Sequence, residues 1–582
     1  MIFRLHRLSS EPMIFDPIDF HRGVNLIVGE KSDVQAGPQG RKVNGVGKSV
    51  CVDFLHFALC RSFSETRIAK IPVDVLPADL VVALDLTVGR ERLQIRRRVA
   101  DHNQPTIVRT DGNATTFATL ADANEFLAAL LFEGNERASG LSFRQLLSLL
   151  MRDERSGFKS IVNPYDVTRK VMDDITPHLC LLGIELAPYR TLVSTIDLLD
   201  KQKKLLAELK ATLTNRGELN LADIPARLNE ERQATRKIDE ALRTLRADPA
   251  FEQVEQDLVG LETNLEKLRL ERRSLNFQID QIRAIPLPER IDADDIKIVY
   301  ERIKSGLGEL VEKSLEQAKE FKSEIERFQQ SLREVELSGL ETRRREVGNR
   351  IRELSDKHAE LTRQIDRRGL LSEFTNGLEV ATRRTDEYHR LQSQYTHYQE
   401  KLREVDSIDT DRANQIHAVQ QLLLEHKDAE QSINDTLVGI HQLIQQSSLA
   451  SFQFELSTSP TKKRPLSFSL RIQDDGSESI DQVRVFLYDF ALLTDLLAKS
   501  NHPGFLLHDN ILDVDQDTFV RCLNFLNELE QSDDDFQYIL SLNRDRLEND
   551  ETRSLLKLDI DKSRVARFTK SSQFLKRHYQ EK

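Results

Sequence analysis

Lys48 and Ser49 close the run Asn44-Gly45-Val46-Gly47-Lys48-Ser49, and residues of these types at this spacing suit the capture of a polyphosphate. An apolar strand, Val24-Asn25-Leu26-Ile27-Val28, precedes the run, and a helix-like stretch, Val50-Cys51-Val52-Asp53-Phe54-Leu55, follows it. Strand, glycine-rich turn, Lys-Ser and helix is the layout of a P-loop. The glycines let backbone N–H groups close around phosphates, and the helix N-terminus adds the positive end of its dipole. Lys48 is expected to reach the β- and γ-phosphates of ATP, and Ser49 to ligate Mg²⁺. Asn44, Gly45, Gly47 and Val50 complete the expected cradle. The motif departs from pattern once, because Lys42 stands where G-x-x-x-x-G-K-S has its first glycine. Gly29, directly after the strand, is expected to serve instead. Residues 30–43 (EKSDVQAGPQGRKV) then read as an insertion inside the phosphate loop.

A P-loop sheet also needs a strand that ends in a carboxylate for the metal. Phe505-Leu506-Leu507-His508-Asp509 is such a strand, and Asp509 is expected to hold Mg²⁺ through water, opposite Ser49. Any buried strand can end in Asp, so the signal gains weight only beside the P-loop.

Between these two motifs lies a different kind of sequence. Val254, Leu258, Leu261, Leu265, Leu268, Leu275, Ile279 and Ile282 fall on alternating four- and three-residue steps, with Arg272 filling the one gap, which is a heptad seam. An unbroken helix from 190 to 282 would run on the order of 140 Å, but Gly217 and Pro225 predict a break. Pro286 and Pro288 end this arm. The seam resumes with Ile325, Phe328, Leu332 and Val335, is interrupted at Gly369, and continues through Leu391, Tyr395, Tyr398, Leu402 and Val405. Heptads on both sides of a proline-marked centre predict an antiparallel hairpin. The expected plan is an N-terminal ATPase lobe over 1–189, an ascending coil over 190–285, a hinge-like segment over 286–324, a descending coil over 325–448 and a C-terminal ATPase lobe over 449–582. The fold class expected is an α/β P-loop NTPase head assembled from both termini, with a long α-helical coiled-coil insertion.

Composition agrees with long solvated helices. The chain has 582 residues, 31% charged and 6% aromatic, with no Trp. That length exceeds what one core supports. The net charge of −12 means that any nucleic-acid contact must come from local basic patches. The four cysteines, Cys51, Cys60, Cys180 and Cys522, show no C-x-x-C spacing and no disulfide framework. No apolar run approaches a membrane span and no signal peptide is evident, so a soluble cytoplasmic protein is expected.

The order P-loop, coiled coil, Walker B resembles the SMC-like ABC ATPases along the whole chain. More narrowly it resembles the bacterial YydD-type family, through Gly29-Glu30-Lys31-Ser32, the insertion, Asn44-Gly45-Val46-Gly47-Lys48-Ser49 and His508-Asp509-Asn510. The resemblance implies an ATPase subunit of a bacterial anti-phage or anti-plasmid defence complex, of the three-component ABC or Lamassu-like kind. It implies a head-to-head dimer around ATP and Mg²⁺, contact with double-stranded DNA, and partner subunits that include a nuclease or other effector. In this class each nucleotide also meets a signature segment from the opposite head. Here that segment is Gly476-Ser477-Glu478-Ser479, without the usual double glycine, and Ser477 or Ser479 would contact the γ-phosphate or simply cap the following helix. The Q-loop position holds Arg152 in place of Gln, and the switch-histidine position holds Asn543. Asn510 stands where a catalytic Glu is usual, and an amide can orient water but cannot accept its proton. Asp513 or Asp515 is then a candidate substitute, and Asp515 also fits the loop that crosses the dimer. Slow turnover is expected. A RecN-like repair ATPase and a nucleotide-binding scaffold with little hydrolysis are the alternative readings.

Basic side chains gather in several places. Arg90, Arg92, Arg96 and Arg98 lie on one hairpin, and Lys462, Lys463 and Arg464 lie between two strands. These are the expected contacts to a DNA backbone, insensitive to sequence and dependent on salt. The arginines at 343–345, 350 and 352 read as a solvated coil face.

Overall fold

The structure, a computed structural model, describes the chain apart from residues 31–45, 73, 78, 169–170, 218, 247–254, 285–314, 366–369, 473–477, 533, 548–553, 578 and 580–582. The described residues fall into two compact units. One joins Met1–Ser194 to Ala413–Lys582, and the other is drawn from Thr195–Ile296 and Glu312–Arg412.

In chain order the first unit opens with β1 (Phe3–Glu11), β2 (Ile18–Asp19), β3 (Gly23–Gly29) and α1 (Lys48–Ala58). Next come β4 (Val81–Val88), β5 (Glu91–Arg98), β6 (Thr106–Arg109) and β7 (Ala114–Thr116). Helices α2 (Leu120–Leu131) and α3 (Phe143–Leu150), strand β8 (Met151–Arg152), α4 (Thr176–Leu181) and α5 (Ala187–Leu213) follow. The central helices are α6 (Ile224–Arg246), α7 (Glu255–Ala284), α8 (Leu315–Ile365) and α9 (Leu370–Glu425). The chain returns with α10 (Lys427–Gln445), β9 (Ala450–Leu456), β10 (Leu466–Ile472) and α11 (Glu478–Thr494). It ends with β11 (Phe505–Asp509), α12 (Gln516–Gln531), β12 (Gln537–Asn543), α13 (Ile560–Ser563) and β13 (Arg564–Phe568).

The two ends of the polypeptide build one sheet. Its strand order is β13-β3-β12-β11-β8, with every pairing parallel. Parallel strands are covered on both faces, and β3 and β11 accordingly read as continuous buried runs. Strand β3 is held on one side by β12, from Gly23 opposite Gln537 to Gly29 opposite Asn543, and on the other by β13. A second sheet, β2-β1-β4-β5-β6-β7, is antiparallel, and its strands β4 and β5 largely alternate buried and more exposed residues as such sheets do. Strands β9 and β10 form a separate two-stranded sheet. Phe490 from α11 meets Phe525 from α12 and Tyr538 from β12 edge to face, and Phe486 lies tilted against Phe490.

The C-terminal lobe expected from 449 starts earlier. Helix α10 buries Ile433, Leu437, Ile440 and Ile444, so the compact unit reaches back to Ala413.

In the second unit the expected break around Gly217 and Pro225 falls between α5 and α6. The hinge-like segment expected over 286–324 lies outside the described residues up to 314, and α8 is already helical from Leu315. Two antiparallel pairs are present. Helix α7 runs against α8 through Leu265, Leu275, Val347 and Ile351, and Arg333 Nη2 on α8 donates to the Ile282 carbonyl at 2.8 Å. Helix α6 runs against α9, with Leu242 on Ala381, and Ile224 clustered with Tyr398. The pairs also touch each other. On α7, Arg269 donates to Thr382 Oγ1 at 3.0 Å and Arg273 pairs with Asp386 at 2.9 Å, both on α9. Residue numbers rise together across that contact, so α7 and α9 are parallel there. The unit therefore doubles the single two-helix hairpin expected from the heptads. Pro249 and Gly369 lie in the two intervals that separate α6 from α7 and α8 from α9. Among the described residues no helix is long and apolar enough to cross a membrane.

Candidate functional site

Gly47 is the N-cap of α1, with φ +104°, a left-handed conformation that glycine tolerates and other residues rarely adopt. A Cβ here would stand 2.7 Å from Cβ of Phe574, so the close approach of the C-terminal segment also demands glycine. The Val46 carbonyl accepts from the Phe574 N–H at 3.3 Å, and Phe574 stacks on Phe15 with ring centroids 4.5 Å apart. Residues after β13 thereby brace the start of α1.

Lys48 and Ser49 open α1 where the helix dipole is positive. The Lys48 ammonium donates to Oδ1 of Asn543, the last residue of β12. The Ser49 hydroxyl lies close enough to the carboxylate of Asp509, at the end of β11, to lower its pKa, and Ser541 donates to Asp509 Oδ1 from β12 at 2.5 Å. Burial raises the Asp509 pKa above the ordinary carboxylate range; the two serine hydroxyls oppose that shift, and the nearby carboxylates of Glu154 and Asp153 reinforce it. Gly29, expected directly after the strand as the first glycine of the loop, is the last residue of β3. Asn44, Gly45 and Ser477 lie outside the described residues, and Ser479 sits in the first turn of α11.

Lys48, Ser49, Ser541 and Asn543 border a cavity of about 740 Å³. Lys48, Arg67, Arg546, Lys570 and Arg577 line it, against the carboxylates of Glu154 and Asp513. Its size suits a nucleotide-sized ligand, and its charge excess suits an anion. Asn510 also lines it, at φ +64°.

Several expected site residues take other roles. Arg152 was expected beside the nucleotide and is instead fully buried away from the cavity. Its guanidinium holds Asp489 by two hydrogen bonds, Nε at 2.6 Å and Nη2 at 3.0 Å, and also donates to the carbonyls of Ser160 and Ile161. His508 completes this network through Nε2 to Asp489 at 2.9 Å and Nδ1 to the Tyr538 hydroxyl at 3.1 Å. Burial lowers the His508 pKa, so the neutral ring donates from Nε2 to the carboxylate and accepts from Tyr538 at Nδ1. Burial pushes the Asp489 pKa upward, but Arg152 and His508 outweigh it and hold the carboxylate below its ordinary range. Asp515 caps α12 by accepting from the Thr518 N–H at 2.9 Å, which commits one of its oxygens. Asp513 borders the cavity but is ion-paired with Arg546.

The basic hairpin is also partly spoken for. Arg96 pairs with Glu11 at 2.6 Å and Arg98 with Asp101 at 3.2 Å, whereas Arg90 and Arg92 are exposed. Arg97 points inward, fully buried over the Phe57 ring, and donates to the carbonyls of His102, Phe57 and Arg61. Lys462 and Lys463 are exposed between β9 and β10, with Arg464 half-buried beside them.

Two features escaped the sequence reading. Glu30, next after β3, is buried and receives Arg544 and Arg567, with Arg564 at 3.6 Å. The partners are more than 500 residues away in the chain, so no local pattern reveals them. Glu154 lies beside Asp153 in a stretch already singled out for Arg152, but only the folded chain brings it to the wall of this cavity.

Residues 440–578 match the family model described as "Uncharacterised protein conserved in bacteria (DUF2326)". No curated protein matches the chain. Among solved structures, the chain is similar to the crystal structure of the Smc head domain with a coiled coil and joint derived from Pyrococcus yayanosii. The identity is 14%, the TM-score 0.34, and the alignment covers 96% of this chain and 94% of that one.

Proposed function

We propose that this chain binds and hydrolyses ATP as an SMC-like ATPase subunit, with a head built from its two ends. The observation that carries this reading is the proximity of the Ser49 hydroxyl, which lines a cationic cavity beside Lys48, to the Asp509 carboxylate. One residue comes from each end of the chain, and both supply hard oxygen atoms of the kind Mg²⁺ prefers. Among the described residues no group of three His, Cys, Asp or Glu side chains is placed to hold a metal. That fits a magnesium held by one hydroxyl, one carboxylate, water and phosphate oxygens, and not by a protein cage. Bound there, Mg²⁺ would neutralise charge on the phosphates. Lys48 and the N–H groups opening α1 would bind and orient the polyphosphate, and Arg67, Arg546, Lys570 and Arg577 would add positive field.

By resemblance of its motifs, the reading extends to a head-to-head dimer that senses or clamps DNA in a bacterial defence complex, with effector chemistry on a partner chain. Arg90, Arg92, Lys462, Lys463 and Arg464 are the side chains proposed to meet the DNA backbone. Arg96 and Arg98 contribute less, because Glu11 and Asp101 already balance their charge.

A second reading, a scaffold that binds nucleotide without turnover, draws on Asn510 following Asp509 and on Asp515 being spent as a helix cap. Steady-state phosphate release by the purified full chain separates the two. The ATPase reading expects Mg²⁺-dependent release that Lys48→Ala abolishes. Binding without Lys48-dependent release would favour the scaffold.

A further inference from the structure

The site has a carboxylate that the linear motif does not contain. Strands β8 and β11 are parallel neighbours, with Met151 opposite Leu507 and Arg152 opposite His508. The pairing stops at Arg152: Asp153 leaves the strand and Glu154 opens a 3-10 turn over Glu154–Ser156, close to where β11 ends at Asp509. Glu154 lines the same cavity as Lys48, Ser49 and Asn510, and its charge is felt at Asp509. Asp153 cannot take the role. It is buried, capping the turn that follows by accepting from the Arg155 N–H and ion-paired to Arg61 and Arg155. Glu154 has a half-exposed side chain whose one ion-pair partner here, Arg67, stands at 3.9 Å. At that distance no hydrogen bond holds the carboxylate, so its lone pairs remain available to a water in the cavity.

We infer that Glu154 is the general base of this site, displaced from the end of β11 to the adjacent strand end. The inference rests on the ATPase reading above. Glu154 would accept a proton from the attacking water as the water oxygen bonds to the γ-phosphorus. The bond from that phosphorus to the β–γ bridging oxygen breaks, ADP leaves with the electron pair, and the proton passes from Glu154 to solvent. Asn510, which lines the same cavity, orients the water through its amide and needs no basicity of its own.

The test uses the full chain with Mg-ATP, and a fluorescent ATP analogue to read affinity separately from turnover. Glu154→Gln is expected to lower kcat by about 10²–10⁴-fold, with analogue affinity and melting temperature unchanged. Adding Asn510→Glu to that variant moves the carboxylate back to the β11 end, and is expected to restore about tenfold or more of the lost rate. A Glu154→Gln chain that turns over like wild type overturns the inference while leaving the ATPase reading intact. Loss of affinity in step with rate overturns it too, since Glu154 would then serve binding. A wild-type chain that binds without turnover also overturns it, and one that does not bind removes the ATPase reading as well.

Discussion

Arg152 and Asp489 form a two-point ion pair with neither side chain exposed, Nε to Oδ2 at 2.6 Å and Nη2 to Oδ1 at 3.0 Å. It ties β8 to α11, and through His508 on the same carboxylate it ties both to β11. Removing one partner strands a buried charge. Asp489→Asn should therefore destabilise the unit by about 3–5 kcal/mol, read as a lower denaturant midpoint. A double change of Arg152 and Asp489 to apolar residues of similar size should cost less than Asp489→Asn alone.

Glu30 poses the same problem in another form. Three arginines, Arg544, Arg564 and Arg567, converge on one buried carboxylate at the end of β3. Glu30→Gln leaves them facing one another. Stability should fall by about 3 kcal/mol or more, and added sulfate should recover part of it by occupying the vacated charge. A melting temperature indifferent to the substitution would contradict this description of the cluster.

Gly47 joins backbone conformation to nucleotide capture. Gly47→Ala puts a methyl group against Phe574 at a φ that L-residues avoid. The start of α1 should shift, and affinity for a fluorescent ATP analogue should drop by about tenfold or more, since strain of this kind is worth about 1–3 kcal/mol. Pairing it with Phe574→Ala should recover the steric part only.

Acid should loosen the first unit. Burial lowers the His178 pKa to about 4 and the His502 pKa to about 3, and burial also lowers those of His56 and His508. These rings are neutral when folded, while unfolded they take up protons below about 6.5. Between those values the unfolded chain binds more protons, so stability falls as pH drops below about 6.5. Asp53 and Asp509 work the other way: burial raises both, Asp53 to about 6, so their contributions improve as pH falls. Four histidines outweigh these two aspartates. The melting temperature should decline from pH 7 toward pH 4 in about that window, and Asp53→Asn should steepen the decline.

The chemistry-bearing residues that were legible in the sequence are those whose meaning is local. Lys48 and Ser49 are defined by the glycines before them and the helix after them, and Asp509 by the apolar strand it ends. Asp515 carried a local signal that competed with its proposed role, because Asp515-Gln516-Asp517-Thr518 has the spacing of a helix cap. Arg152 and Glu154 were not legible. Arg152 is explained by a partner 337 positions away, and Glu154 by a turn after β8 that reaches the cavity wall, which no periodicity encodes. The helical insertion divides in the same way. Heptads announce that a helix has a seam, but α7 meets both α8 and α9, and the choice of partners is set by where the helices stop.

The central claim is that Ser49 and Asp509, from opposite ends of the chain, act on one magnesium-bound nucleotide. A double-mutant cycle on Ser49→Ala and Asp509→Asn, reading the Mg²⁺-dependence of ATP-analogue affinity, tests it most directly. The two changes should each weaken that dependence and together do little more than either alone, a coupling of about 0.5–3 kcal/mol. Fully additive effects, or a Mg²⁺-dependence that survives both changes, would contradict it.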